Sequence, residues 1–121
     1  MHFSRVIIEV FSKTAGYSSD PPNLPGLAHF CEHMLFLGTE KYPDEAEFTN
    51  FLGQHSGRSN AYTSTEFTTY HFDVKSDSLA PALDRFSQFF VAPLFDSNST
   101  DRELHAIDQE YQKNYREDSR R

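Results

Sequence analysis

The sequence predicts an α+β fold in which helices cover one face of a mainly antiparallel sheet. Three observations carry this expectation. Val6, Ile8 and Val10, and later Tyr70, Phe72 and Val74, alternate with other residues at the period of a half-buried strand. Apolar runs at helical period occupy residues 26–38 and 78–92. Turn signals rich in Gly, Pro, Ser and Asp separate these segments. The resulting order is strand, helix, helix, two strands, helix, helix. It leaves the second face of the sheet to be covered by something else. A chain of 121 residues fits one domain, and its twelve Phe supply the apolar surface that a core needs.

Each element follows from local chemistry. The opening residues MHFSRVIIEVF have no small-residue cleavage site and read as a first strand, not a signal peptide. AGYSSDPPN is a loop, Asn23 is a candidate cap for the next helix, and Pro25 fits its first turn. Gly38 marks the end of that helix. Asp44 is a second cap candidate, and Phe48, Phe51 and Leu52 form the stripe of a short helix closed near Gly53. Residues 58–65 and 67–74 read as strands. Leu79, Ala82, Leu83, Phe86, Phe89 and Phe90 keep helical spacing until Pro93. A last helix runs from about Ser99, with Asp101 and Glu103 early and Arg116, Arg120 and Arg121 late, an order that complements the helix dipole.

The formal net charge of −7 argues against nucleic acid and anionic membrane surfaces, which reward clustered Lys and Arg. It suits a protein, peptide or metal partner. Cys31 is the single cysteine, which excludes an intramolecular disulfide and fits a reducing, cytoplasmic compartment. No stretch reaches the roughly 18 apolar residues of a membrane span.

The chemistry concentrates in GLAHFCEHMLFLGT, residues 26–39. On a helix, residues four apart share a face, so His29 and His33 present two imidazoles to one point. Glu32 lies close to that direction, within reach of a water held there. The order His-x-x-Glu-His is the inverted zinc-protease motif. Two histidines on a helix face with no metal role are the rival reading of these five residues. Against it, Leu27, Ala28, Phe30, Met34, Leu35, Phe36 and Leu37 fill the other directions, so the titratable groups need a partner such as a divalent cation. Cys31 points away from them and reads as packing. A hydrolytic zinc site uses three protein ligands and one open position. Glu103 and Glu110 share one face of the last helix, beside a stripe of Leu104, Ile107, Tyr111 and Tyr115, and either fits the third place on these grounds. A solvated charge is the competing role for each.

The runs PPNLPGLAHFCEHMLFLGTEKYP, SNAYTSTEFTTYHFDV, ALDRFSQFFVAPLF and DRELHAIDQEYQKN occur here in order. Together they resemble the N-terminal catalytic domain of the insulysin branch of the pitrilysin-type zinc metallopeptidases. The resemblance covers about residues 16–121, and residues 1–15 are atypical. It implies a truncated domain of the pitrilysin and mitochondrial-processing-peptidase type, spanning residues 1–121. It also implies one Zn2+ held by His29, His33 and Glu110, Glu32 as catalytic base, and Glu103 as a carboxylate supporting the metal site. Ser59, Asn60 and Ala61 resemble the family's edge strand for peptide substrate, a mode with a physical basis in strand addition. The implied partners are a peptide or small-protein substrate and the remaining domains of a longer homologous chain, with no nucleic acid or membrane. A non-catalytic interaction domain or truncated isoform of the same fold is the alternative.

Overall fold

The computed structural model describes residues 4–12 and 15–119, with backbone alone at 111 and 114–119. Strands β1 (Arg5–Ser12), β2 (Arg58–Thr63) and β3 (Thr68–Lys75) form a three-stranded antiparallel sheet in the order β1-β3-β2. Helices α1 (Leu27–Leu35), α2 (Glu47–Gln54), α3 (Leu79–Val91) and α4 (Ser97–Ser119) complete the predicted order.

The strand register explains the two faces. Val6, Ile8 and Val10 stand opposite Val74, Phe72 and Tyr70, and Ser59, Ala61 and Thr63 stand opposite Phe72, Tyr70 and Thr68. Because alternate side chains share a face, this set points toward the helices. Phe72 and Val74 are fully buried there, in a core with Leu35, Phe48, Leu52, Ala82, Phe86 and Phe89. The Phe72 and Phe86 rings lie 4.9 Å apart, inside the range of attractive aromatic pairs. The other face carries Ile7, 70% exposed, with Phe11 and Tyr62 also exposed. Phe11 and Tyr62 flank Thr69 from the two neighbouring strands. Among the described residues, the Thr69 hydroxyl is the buried side-chain polar atom without a hydrogen-bond partner.

The helix ends depart from the expected capping. Helix α1 begins at Leu27 after Gly26, whose φ of 89° is left-handed, and Asn23 does not cap it. Asp20 does this from farther back, its carboxylate accepting from the N–H of Gly26 at 2.7 Å and of Ala28 at 2.9 Å. The chain reaches α1 through a 3-10 turn at Tyr17–Ser19 and a turn closed by Leu24 N–H on the Pro21 carbonyl, which carries Asn23 and Pro25 outside the helix. Phe36 caps α1, and Gly38 lies beyond it. Asp44 accepts from the Ala46 N–H ahead of α2, and Gly53 lies inside that helix. The stripe on α4 is only partly covered, with Leu104 51% exposed. The side chains of Tyr111, Tyr115, Arg116, Arg120 and Arg121 lie outside the described residues.

The 3-10 turn is fixed to the β2–β3 hairpin by its backbone. Tyr17 N–H donates to the Ser64 carbonyl at 2.9 Å and Ser18 N–H to the Thr65 carbonyl at 2.7 Å. Asp20 thus joins the hairpin to the first turn of the helix that carries the histidines. Asp20→Ala is expected to cost about 1 kcal/mol, the usual worth of a capping side chain, in urea unfolding of the chain. A loss near zero would show that water replaces the two bonds at no cost.

Candidate metal centre

Helix α1 places His29 and His33 one turn apart, with their Nε2 atoms 3.0 Å from each other and their rings nearly perpendicular. The far side of His33 sets its tautomer. Its Nδ1 lies 3.0 Å from Glu103 Oε2, and a carboxylate accepts, so Nδ1 carries the hydrogen. A neutral His33 then directs an Nε2 lone pair at His29, the tautomer that a metal ligand needs. Glu110 Oε2 stands 3.9 Å from His29 Nε2. Two imidazole nitrogens and a carboxylate converging on one side make a donor set that fits a divalent cation with zinc's preferences. Donor atoms of His29, Glu32 and His33 all lie within 4.8 Å of one another.

The packing of α4 against α1 separates the two glutamates that helical spacing left equivalent. Glu103 is enclosed behind His33, its side chain 18% exposed, whereas Glu110 is half exposed at the mouth. Glu32 is 8% exposed, and its Oε1 accepts a hydrogen bond from Thr63 Oγ1 at 2.9 Å. Tyr17 sets its ring edge-on to His29. Burial raises the Tyr17 hydroxyl's pKa first, and the charges of Glu32, Glu110 and Asp20 add to it. Cys31 packs against the core and burial pushes its thiol up, a packing role that disfavours the thiolate.

These groups open into a cleft of about 630 Å³ whose opposite wall is β2, with Ser59, Asn60 and Ala61 among its lining residues. Among the described residues, strand β2 is an edge strand, paired on one side to β3. Ser59 and Ala61 face the helices, while Asn60 lies on the alternate face and accepts the Ala61 N–H with its own Oδ1 at 2.9 Å. The predicted site residues therefore meet around one cleft, drawn from α1, α4 and β2. The motifs of the sequence do not single out Thr63 or Tyr17. The period of β2 already places Thr63 on one face with Ser59 and Ala61, which is the signal that could have found it. Tyr17 lies in a loop, where no periodicity speaks. Among the described residues, no helix is long and apolar enough to cross a membrane.

Comparison with known proteins places the chain in a family. The chain is 59% identical over 104 residues to the insulin-degrading enzyme of Mus musculus, covering 86% of this chain and 10% of that protein. It is 55% identical over 104 residues to a putative zinc protease of Schizosaccharomyces pombe, covering 86% of this chain and 11% of the relative. Among solved structures, pitrilysin superposes with a TM-score of 0.79 at 32% identity, over 87% of this chain and 11% of pitrilysin. The α+β architecture read from periodicity is thus shared with the matched part of pitrilysin. The chain spans about a tenth of the length of the curated relatives it matches. The family model described as "Insulinase (Peptidase family M16)" matches residues 2–121, and the chain belongs to that family.

Proposed function

We propose that the chain carries the metal centre of a zinc-dependent metalloendopeptidase that hydrolyses peptide bonds in peptides and small proteins. The observation that carries this reading is the convergence of His29 and His33 Nε2 beside the enclosed carboxylate of Glu32. His29, His33 and Glu110 would hold one Zn2+. When bound, the ion supplies Lewis acidity and lowers the pKa of water to about 7.

The chain's own residues do the remainder. Glu103 keeps the proton of His33 on Nδ1, so that Nε2 stays a ligand. Glu32 accepts a proton from water as it attacks the scissile carbonyl and returns it to the leaving amine. Ser59, Asn60 and Ala61 lie on the outer edge strand β2, whose alternate main-chain groups pair with an extended peptide as a further strand once the Asn60 side chain releases the Ala61 N–H. Residues 1–121 form part of an N-terminal peptidase domain. The remaining domains of a longer homologous chain are its partners, in a reducing, cytoplasmic setting.

A second reading, a non-catalytic interaction domain, is favoured by one observation, the exposed Ile7, Phe11 and Tyr62 on the uncovered sheet face. The two readings separate in one experiment. The chain is expected to hold one zinc by elemental analysis and to produce new fragments of a mid-length peptide, seen by mass spectrometry and abolished by a chelator. Zinc without chelator-sensitive fragments favours the second reading, and no zinc at all sinks the metal centre.

A further inference from the structure

We infer that Thr63 is the positioning residue of Glu32. It fixes one carboxylate oxygen and leaves the other for proton transfer, and it ties the base to the strand proposed to receive substrate. This rests on the reading of Glu32 as the base. The bond itself is plain: Thr63 Oγ1 to Glu32 Oε1 measures 2.9 Å, and an ionised carboxylate only accepts, so the hydroxyl donates its single proton there. Glu32 is 8% exposed, where loss of a hydrogen-bond partner is costly.

The hydroxyl is itself held in place. Thr63 is the last residue of β2, opposite Thr68, whose hydroxyl donates to the Ala15 carbonyl and stands 3.4 Å from Thr63 Oγ1. Ser64 N–H closes the hairpin on the Phe67 carbonyl at 2.8 Å just beyond it. A β-branched side chain on such a backbone has little rotamer freedom. Since the hydroxyl carries no charge, it fixes an oxygen without neutralising the carboxylate that must take a proton. Lys or Arg in its place would hold the carboxylate by its charge and weaken it as a base.

The position of Thr63 in the strand gives the bond a second consequence. Ser59 and Ala61 precede it on the same face of β2, at the wall of the cleft. A peptide that draws the edge strand toward itself moves the donor of the Glu32 bond as well. Seating of substrate and aim of the base therefore share one strand.

The test compares Thr63→Val, which removes the hydroxyl at nearly constant shape, with Thr63→Ser, which keeps it, in the 121-residue chain at one fixed pH. With 13C-labelled glutamate, assigned through Glu32→Gln, the Glu32 carboxyl resonance is expected to move in the Val variant and to return toward its wild-type place in the Ser variant. Zinc affinity should stay within about threefold in both, less than the loss from removing a bond to a ligand. In chelator-sensitive peptide cleavage, kcat should fall about 10- to 100-fold in Thr63→Val, the usual loss from a small misplacement of a reacting group. KM should hold within about twofold, as expected when ground-state binding is untouched.

An unmoved Glu32 resonance with wild-type kcat in Thr63→Val overturns the inference, as does a Ser variant impaired as much as the Val variant. If wild type binds zinc and cuts nothing, the proposed function fails and the resonance alone decides the inference. If Thr63→Val does not fold, the wild-type chain decides. A Thr63 hydroxyl proton protected from exchange with water supports the bond, and one in free exchange overturns it.

Discussion

His33→Ala is expected to abolish zinc binding, with affinity falling by more than about 100-fold, beyond the loss typical of a supporting residue. Two effects combine at this position. The substitution removes one of two imidazole nitrogens that face each other at 3.0 Å, and it strips Glu103 of its hydrogen-bond donor. The carboxylate left behind is largely enclosed. Glu103→Gln provides the contrast, because it keeps both imidazoles and disturbs only the Nδ1 hydrogen bond. That variant should weaken zinc by about 10- to 100-fold. Glu110→Gln, which removes the proposed carboxylate ligand, should fall with His33→Ala. Titration of the metal-free proteins with zinc against a competing chelator measures all three. A His33→Ala protein that binds one zinc as tightly as wild type would remove the centre from α1.

Phe72→Ala is expected to destabilise the chain by about 3–5 kcal/mol, the cost of deleting a large aromatic from a packed core. Phe72 is fully buried on the middle strand of the sheet, with the Phe86 ring at 4.9 Å and the Phe48 ring at 5.8 Å. Those rings belong to α3 and α2, so a cavity here loosens both helices at once. Domains of this size are stable by roughly 5–15 kcal/mol, and the loss is a large share of that. Urea unfolding should show a lower midpoint with little change in slope. Ile7→Ala, at a residue 70% exposed on the other face, should stay within about 0.5 kcal/mol. A Phe72→Ala loss below about 1.5 kcal/mol would mean that the core collapses to fill the hole.

Much of this molecule is legible in its residue pattern alone. Alternation in β1 and β3 and helical spacing in α1 and α3 reflect burial on one face, and burial is written directly into residue type. Capping was less legible. Asn23 is a good cap by chemistry, but the cap is Asp20, because the turn closed by Leu24 and Pro21 moves the chain past the local candidate. The candidate centre divides in the same way. His29, Glu32 and His33 lie on one helix, so their spacing alone brings them together. Glu103 and Glu110 sit on one face of α4, and nothing in that helix says which goes behind His33 and which goes to the mouth. Only the docking of α4 on α1 separates them. Thr63 shows a third kind of omission, for its role depends on a partner on another element.

The turn at Tyr17–Ser19 has one more consequence. Gly16, which precedes it, is buried so close to the hairpin that a β-carbon there would lie 2.4 Å from the Glu66 carbonyl carbon and 2.5 Å from the Phe67 nitrogen. Two backbones meet at that point with nothing between them but hydrogen. A single methyl group would have to lift the turn away, and Tyr17 and Asp20 would move with it. The distance between the sheet and the histidine helix is thus gauged by a side chain that is absent, at a position far from the motif that draws the eye.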